Sequence, residues 1–187
     1  MVVHLQPIVM VSTVRAGEGW MTIAYTEGPE VVSNSTVSKR KAESEEMISH
    51  DLKRRNIEAR DISESQRLQD LATRILGGDV TVPISHFAIS DFRWNVFEFV
   101  RRIPKGKVAS YSDVARGIGK PRSQRAVGTI MATHCLSYII PCHRVVKNDL
   151  SPGKFSSTQS KAEMLRAEGV KMEKGRIRER HRLARGK

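Results

Sequence analysis

Residues 108–131 read VASYSDVARGIGKPRSQRAVGTIM, and this stretch decides the fold of the second half of the chain. It predicts two short helices, from about Ser112 to Gly117 and from about Ser123 to Thr133. Between them, Gly119, Lys120 and Pro121 have the length and composition of a helix-turn-helix linker. We therefore expect a mostly α-helical C-terminal domain built around this motif.

The second predicted helix has two unlike faces. One face is apolar at helical spacing and points to a core; it carries Val127, Ile130, Met131 and His134. The opposite face carries Arg125 and otherwise small residues, which let a helix approach a nucleic-acid backbone closely. Close packing against another helix explains Gly128 alone equally well. Arg125 on the same face favours the nucleic-acid interpretation.

A second motif follows the apolar run Tyr138–Ile140, where Pro141, Cys142, His143 and Arg144 are consecutive. Cationic and hydrogen-bonding neighbours lower the pKa of a thiol and make it a nucleophile. A buried cysteine that acts as a small apolar side chain is the alternative. The four residues alone leave both interpretations open.

Composition limits the class of protein. The chain has 187 residues, 39% of them hydrophobic, which is enough for one ordinary domain or two small ones. No apolar run approaches the roughly 20 residues of a membrane span, and the N-terminus lacks the pattern of a secretion signal. The two cysteines are too few for a disulfide framework and are not spaced as zinc ligands. We expect an intracellular monomer (cytoplasm or nucleoid, or nucleus in a eukaryote) without cofactor, metal or membrane contact.

The charge indicates the partner. The net charge of +12 is typical of a protein that binds polyanions, with nucleic acid as the leading candidate. Residues 171–187 contain eight basic and two acidic residues, so this basic C-terminal tail carries half of the net charge. A solvated tail without a partner is the alternative.

The first half of the chain predicts an α/β domain. Leu5–Val14 and Trp20–Thr26 read as a β-hairpin, and the charged segment Lys39–Arg60 as a largely solvated helix. A further helix begins near a capping box of Ser63 and Gln66 and ends at Gly77 and Gly78. We place the domain boundary near residue 86. A helix then begins at Ser90, with Phe92, Val96, Phe99 and Val100 expected on one face.

In order and spacing, the second half resembles the O6-alkylguanine-DNA alkyltransferases, also called methylated-DNA–protein-cysteine methyltransferases. The matching residues are Val108–Tyr111, Ala115, Gly119, Pro121, Arg125–Gly128 and Ile140–Val146. The resemblance is strong over about residues 90–170 and only architectural over residues 1–85. It implies a variable α/β N-terminal domain (1–86), a winged helix-turn-helix domain with the active site (87–170) and the basic tail (171–187).

The resemblance also implies a reaction. Cys142 would take the alkyl group from guanine O6 in one irreversible step, so that the protein repairs DNA once and is consumed. His143 would activate the thiol through a water molecule, and Glu168 would orient His143. Tyr111 would assist rotation of the nucleotide and protonate the departing guanine.

The partner implied by the resemblance is double-stranded DNA that contains O6-alkylguanine. Arg125 would fill the gap left when the base is flipped out of the stack. Other DNA-binding positions fall on Tyr111, Ser123, Ala126 and Gly128. The pocket for the alkylated base falls on Val145, Phe155, Ser156, Met131 and His134.

Three features depart from the family pattern. His134 and Cys135 replace the usual asparagine and proline, and Phe155 replaces a tyrosine. The loop from Lys147 to Ser160 is one residue shorter than expected. These departures affect the width of the pocket and the range of substrates.

Two rival functions remain. Some relatives recognise alkylated guanine without a reactive cysteine and only mark the damage, and Cys142 argues against that class. A cysteine hydrolase would use Cys142 and His143 as a direct pair. Adjacent side chains on an extended strand point to opposite sides, which disfavours such a pair.

Overall fold

The structure is a computed structural model that describes residues 9–16, 18–26, 31–34, 41–55, 57, 59–61, 66–86, 89–136, 138–153 and 160–183. It contains two compact units. The first consists of residues 1–90 together with Cys135–Ile139, and the second of residues 91–134 and 140–187.

The first unit is a four-stranded sheet with two helices. Strands β1 (Val9–Ala16) and β2 (Gly19–Thr26) form an antiparallel hairpin, and β3 (Val31–Asn34) and β4 (Ala59–Asp61) complete the order β3-β2-β1-β4. The helices are α1 (Lys41–Arg54) and α2 (Gln66–Leu76). The hairpin and both helices were predicted, whereas Leu5–Ile8 and Ser63 lie outside the described residues.

Helix α1 is charged but not solvated all round. Its buried residues are Ser44, Ile48, Asp51 and Leu52. Ile48 and Leu52 pack with Val9 and Ala24 of the hairpin, since an amphipathic helix stabilises a sheet by covering one of its faces. Every residue from Met21 to Thr26 is buried, so β2 is covered on both faces.

The second unit is mostly helical. Its helices are α3 (Asp91–Arg101), α4 (Tyr111–Gly117), α5 (Gln124–Thr133) and α6 (Lys161–Ala167). The short strands β5 (Ala109–Ser110) and β6 (Val145–Val146) pair in parallel. Together the two units give six helices and small sheets in the described part of the chain, an α/β protein as predicted.

Helix α3 differs in one detail from the prediction. Val96 and Val100 are buried as expected, but the third buried residue is Phe97, while Phe92 and Phe99 are only partly covered. The ring of Phe99 lies against Gly117 at the end of α4. A Cβ built on Gly117 would lie 1.9 Å from that ring, so only glycine allows this packing.

Residues 171–183 are folded into the second unit. Strands β7 (Met172–Glu173) and β8 (Arg176–Ile177) form a hairpin whose two turn residues, Lys174 and Gly175, both have positive φ. Ile177 is 3% exposed and packs in the core with Leu165 and other apolar residues. The residues of this segment that have the solvent exposure expected of a tail are Lys171, Glu173–Arg176 and Arg178–Arg180.

A buried ion pair attaches this segment to the start of α4. The Nε atom of Arg182 donates to Oδ2 of Asp113 at 2.9 Å, and Ser110 donates to the same carboxylate from its backbone and hydroxyl groups. Burial alone would raise the pKa of Asp113, but the hydrogen bonds from Arg182 and Ser110 outweigh it and hold the pKa well below its ordinary value. Ser110 and Asp113 also form the capping box of α4.

Candidate active site

Cys142 begins a single turn of 3-10 helix, Cys142–Arg144, that precedes β6. Its backbone N–H donates to the carbonyl of Ile140 at 2.7 Å. The expectation of an extended strand at Cys142 and His143 is therefore wrong. Successive residues of a 3-10 helix lie about 120° apart, so the two side chains still point in different directions.

Cys142 is half-buried, and its thiol lies near a buried lysine and a half-buried tyrosine. Burial raises the pKa of Cys142, and the charge of Lys161 and nearby backbone N–H groups lower it only in part. Burial and the adjacent Cys142 raise the pKa of Tyr111, which is the first residue of α4. The thiol therefore stays protonated until a base removes its proton.

Lys161 is the cation of this site. It is the first residue of α6, directly after Ser160, which forms a capping box with Glu163, and it is only 3% exposed. Its Nζ donates to the carbonyl of Val145 at 2.7 Å and lies 5.8 Å from the centroid of the Tyr111 ring. Burial lowers the pKa of Lys161, and the neighbouring Cys142 counteracts this effect.

His143 is paired with Glu168, as the resemblance implies. The distance between Nε2 of His143 and Oε1 of Glu168 is 2.8 Å, and their side chains are 13% and 10% exposed. A carboxylate at this distance accepts the Nε2 proton, so Nδ1 is the nitrogen of the ring that can take up a further proton. Among the described residues, none hydrogen-bonds Nδ1.

Arg144 and Gly106 also donate hydrogen bonds to the carboxylate of Glu168. The Nε atom of Arg144 lies 3.1 Å from each oxygen of Glu168, and its NH1 group donates to the carbonyl of Ile103. The backbone N–H of Gly106 donates to Oε2 at 3.2 Å. Burial alone would raise the pKa of Glu168, but the hydrogen bonds from His143, Arg144 and Gly106 lower it to about 2.

The other cysteine has the opposite surroundings. Burial and the adjacent Asp51 raise the pKa of Cys135 to about 11. The charge with the largest effect on Cys135 is thus an anion, which disfavours a thiolate and which Arg54 and Arg55 offset only in part. The charge that acts on Cys142 is the cation Lys161. Of the two thiols, Cys142 has the surroundings of a nucleophile.

Helix α5 has the two faces that the sequence predicts. Val127, Ile130 and Met131 are buried, and Arg125, Ala126, Thr129 and Ala132 lie on the side that carries the solvent-accessible residues. A Cβ built on Gly128 would meet no described atom within 4 Å. Gly128 therefore does not serve close packing against another helix in the described part of the chain, and its face is open.

The remaining predicted residues lie in several places. Ser123 is the N-cap residue of α5, and its hydroxyl donates to the carbonyl of Lys120 at 2.7 Å. His134 ends α5 and packs its ring edge-on against Phe97 at 5.8 Å between centroids. Val145 is buried in β6 and offers its carbonyl to Lys161, while Phe155 and Ser156 lie outside the described residues.

Sequence reasoning assigned no role to Lys161 or Gly106, and it considered Arg144 only as a cationic neighbour of the thiol, whereas Arg144 pairs with Glu168. Lys161 is one of 32 basic residues, and only its spacing distinguishes it, since Lys161, Leu165 and Glu168 share one helical face at i, i+4 and i+7. No signal in the sequence indicates that Gly106, 62 residues before Glu168, contacts that carboxylate.

Neither a metal site nor a membrane span occurs in the described part of the chain. Its residues contain no group of three His, Cys, Asp or Glu side chains placed to hold a metal ion. None of its helices combines the length and the apolar character needed to cross a membrane.

Comparison with known proteins shows what the segment around this site is similar to. The profile of the 6-O-methylguanine DNA methyltransferase DNA binding domain matches residues 91–170. The bifunctional transcriptional activator/DNA repair enzyme Ada of Escherichia coli (strain K12) is 41% identical over 85 residues, which are 44% of this chain and 24% of Ada. A methylated-DNA–protein-cysteine methyltransferase of Sulfurisphaera tokodaii is 35% identical over 96 residues, 51% of this chain and 60% of the relative.

The similarity to known proteins extends from the sequence to the fold. The crystal structure of the O6-methylguanine-DNA methyltransferase of Pyrococcus kodakaraensis strain KOD1 matches with a TM-score of 0.64 and 24% identity, over 87% of this chain and all of the other. At that identity the match concerns the fold, including the α/β first unit. Residues 91–170 are therefore similar to the 6-O-methylguanine DNA methyltransferase DNA binding domain, and the chain spans less than two thirds of the length of the two curated relatives.

Proposed function

We propose that this protein repairs double-stranded DNA by moving an alkyl group from O6 of guanine to the Sγ atom of Cys142. The observation that carries the proposal is the site inside residues 91–170. There a half-buried thiol lies near Lys161 and Tyr111, and the next residue, His143, is held by Glu168. The similarity of residues 91–170 to the 6-O-methylguanine DNA methyltransferase DNA binding domain supports the same reaction.

The reaction has one covalent step. The Cys142 thiolate attacks the alkyl carbon, so that an S–C bond forms and the bond between carbon and O6 breaks. The electron pair of the broken bond stays with guanine, which takes up a proton from Tyr111. The thioether product has no leaving group as good as a guanine, so each protein molecule reacts once.

The thiolate is formed by a neutral base. Because burial raises the pKa of Cys142, its proton has to be removed within the site. Nδ1 of His143 takes that proton through a water molecule, and Glu168, with a pKa of about 2, remains ionised to stabilise the resulting imidazolium. Lys161 stabilises the thiolate, which lies near it.

DNA is bound by helices α4 and α5, which act as a helix-turn-helix. The linker supports this role, since Gly119 has a φ of 71° and the Ser123 hydroxyl, at the N-cap position of α5, donates to the carbonyl of Lys120 within the linker. The exposed face of α5 approaches the groove because Gly128 adds no bulk there, and Arg125 enters the stack as the base leaves it. Ala126 and Ser123 face the DNA on the same side of α5.

The proposed function assigns a role to each part of the chain. Residues 1–86 form a variable α/β domain and residues 87–170 a winged helix-turn-helix domain with the active site. Val145, Phe155, Ser156, Met131 and His134 line the pocket for the alkylated base. The exposed basic residues after Val170 add affinity for phosphate that does not depend on sequence.

Intact-mass spectrometry after incubation with O6-methylguanine DNA tests the proposal. We expect one methyl group per protein molecule, found on the peptide that contains Cys142. Cys142→Ala should abolish the mass change and retain DNA binding, while the matched variant Cys135→Ala should react like the wild type. A wild-type protein that binds the damaged DNA but leaves the methyl group on it would be a damage marker, and the proposal would be wrong.

A further inference from the structure

His181 lies in the 3-10 helix Glu179–His181, far along the sequence from the reactive cysteine, and both of its ring nitrogens are hydrogen-bonded. Nδ1 is 2.9 Å from the carbonyl oxygen of Gly106. Nε2 accepts from the backbone N–H of Lys171 at 3.1 Å and from Nε of Arg180 at 3.3 Å. A carbonyl can only accept and a backbone N–H can only donate, so these partners specify a neutral ring with its proton on Nδ1.

Gly106 connects this ring to the active site. Its carbonyl accepts from His181, and its N–H donates to Oε2 of Glu168. Gly106 has a φ of 80°, and a Cβ built on it would lie 3.2 Å from the backbone oxygen of Glu168, so no larger residue fits this approach without displacement. Glycine has no side chain to restrict its backbone angles, and its neighbours have to fix them instead.

The backbone around His181 is hydrogen-bonded to Val108, the residue before β5. Val108 N–H donates to the His181 carbonyl at 2.8 Å, and Leu183 N–H donates to the Val108 carbonyl at 2.7 Å. Nζ of Lys107 donates to the carbonyl of Arg180. The backbone and the imidazole of His181 therefore both bind the segment Gly106–Val108. This fixes the geometry of the hydrogen bond from Nδ1 to the Gly106 carbonyl.

We propose that His181 is a positioning residue for the reaction of Cys142: its Nδ1–H fixes the carbonyl side of Gly106 and thereby keeps the Gly106 N–H on the Glu168 carboxylate. Glu168 then presents Oε1 to His143 in a constant orientation. The Lys107 N–H, in the same peptide unit as the Gly106 carbonyl, donates to the Pro104 carbonyl at 3.0 Å, so His181 is the second constraint on this peptide. Without the hydrogen bond from His181, the peptide is held on one side only, and the donation from the Gly106 N–H to Glu168 is weakened. This inference rests on the proposed function, because it concerns the base of that reaction.

Two variants separate the two ring nitrogens. The amide nitrogen of His181→Asn occupies the place of Nδ1 and keeps the donor to Gly106, whereas the amide oxygen of His181→Gln occupies the place of Nε2 and keeps the acceptor for Lys171. In single-turnover alkyl transfer we expect the Gln variant to be about five-fold slower, the effect of removing one neutral hydrogen bond, and the Asn variant to stay within about two-fold of the wild type. His50→Gln, on the exposed side of α1, is the matched control.

Nuclear magnetic resonance of the full chain gives a second measurement that requires no alkylated DNA. We expect the Nε2 proton of His143 to exchange with solvent about five-fold faster in His181→Gln than in His181→Asn or the wild type. If the wild type transfers no alkyl group, the proposed function fails, and this exchange still decides the role of His181. Equal rates and equal exchange in the two variants would overturn the inference.

The wild-type protein provides a test that does not depend on how the variants fold. Nitrogen-15 chemical shifts of His181 distinguish the two neutral tautomers of its ring. We expect the proton on Nδ1. A proton on Nε2 would mean that the ring does not donate to Gly106, and the inference would be wrong.

Discussion

Glu168→Gln offers a quantitative test of the His143–Glu168–Arg144 site. In the folded protein the pKa of Glu168 is lowered from 4.5 to about 2, and its side chain is only 10% exposed. One pKa unit corresponds to about 1.4 kcal/mol, so the ionised carboxylate contributes about 3 kcal/mol to the free energy of unfolding at pH 7. The variant keeps the shape of the side chain and loses the charge.

The pH dependence has a definite sign. Because the pKa is lower in the folded state, the contribution is fully present above pH 4.5 and is lost as the pH falls through about 2. At pH 3 about 1 kcal/mol remains. We therefore expect the stability difference between wild type and Glu168→Gln to fall from about 3 kcal/mol at pH 7 to about 1 kcal/mol at pH 3.

Urea unfolding followed by tryptophan fluorescence measures this difference. The chain has two tryptophans, Trp20 in β2 and Trp94 in α3, so a Trp20→Phe background reports on the second unit alone. Asp113 also has a lowered pKa, which makes the comparison of variant with wild type necessary at each pH. A stability difference that is the same at pH 7 and pH 3 would refute the reasoning.

Glu98→Gln is the matched control. Glu98 pairs with Arg101 and Arg102 on α3, and its side chain is 32% exposed. Ion pairs of this kind contribute about 0–1 kcal/mol, so we expect a small change at both pH values. A large effect of Glu98→Gln at pH 7 would show that removing any carboxylate from this unit is costly.

Three further predictions concern the reaction and the binding of DNA. Arg125→Ala should slow repair of duplex DNA far more than reaction with the free alkylated base, because base flipping is the step that the variant impairs; equal slowing of both would contradict this role. Lys161→Met should slow alkylation of Cys142 by iodoacetamide about ten-fold at pH 7, because it removes the cation that stabilises the thiolate, and the exposed control Lys53→Met should not. The double variant Lys174→Gln/Arg176→Gln should weaken binding to damaged and undamaged DNA alike, and should reduce the slope of log K against log salt by about 0.9 for each phosphate that the protein no longer neutralises. An unchanged slope would mean that these side chains do not touch DNA.

Substitution is preferable to truncation for the last of these predictions. Removing all residues after Val170 would also remove Ile177 from the core and Arg182 from its ion pair with Asp113. A weaker affinity for DNA would then report a damaged fold. Lys174 and Arg176 are exposed, so their charges can be removed without that effect.

The sequence predicted those parts of the structure that depend on local patterns. Apolar residues at helical spacing correctly identified the buried face of α5, and glycines and β-branched residues identified the hairpin of β1 and β2. The pair of His143 and Glu168 was inferred from the family resemblance and is present in the structure at 2.8 Å. Its further partners were not predicted.

Contacts between distant residues could not be predicted. Nothing in a charged helix marks Lys161 as buried, because its burial depends on Val145, 16 residues earlier, which supplies the carbonyl that it needs. The folding of residues 171–183 depends in the same way on Asp113 and Val108. Counting charges cannot distinguish Arg182, which is paired and buried, from the exposed Arg176.

The ion pair between Asp113 and Arg182 also determines the order in which the second unit can assemble during synthesis. The ribosome makes Asp113 first, and its partner follows 69 residues later. Arg116 of α4 also pairs with Asp113, but two hydrogen bonds to the carboxylate come from Arg182, so the start of α4 reaches its final hydrogen bonding only when Arg182 is present. Contacts that close over so long a sequence separation also form slowly. The reactive unit is therefore completed after translation of Arg182 and not helix by helix as the chain emerges.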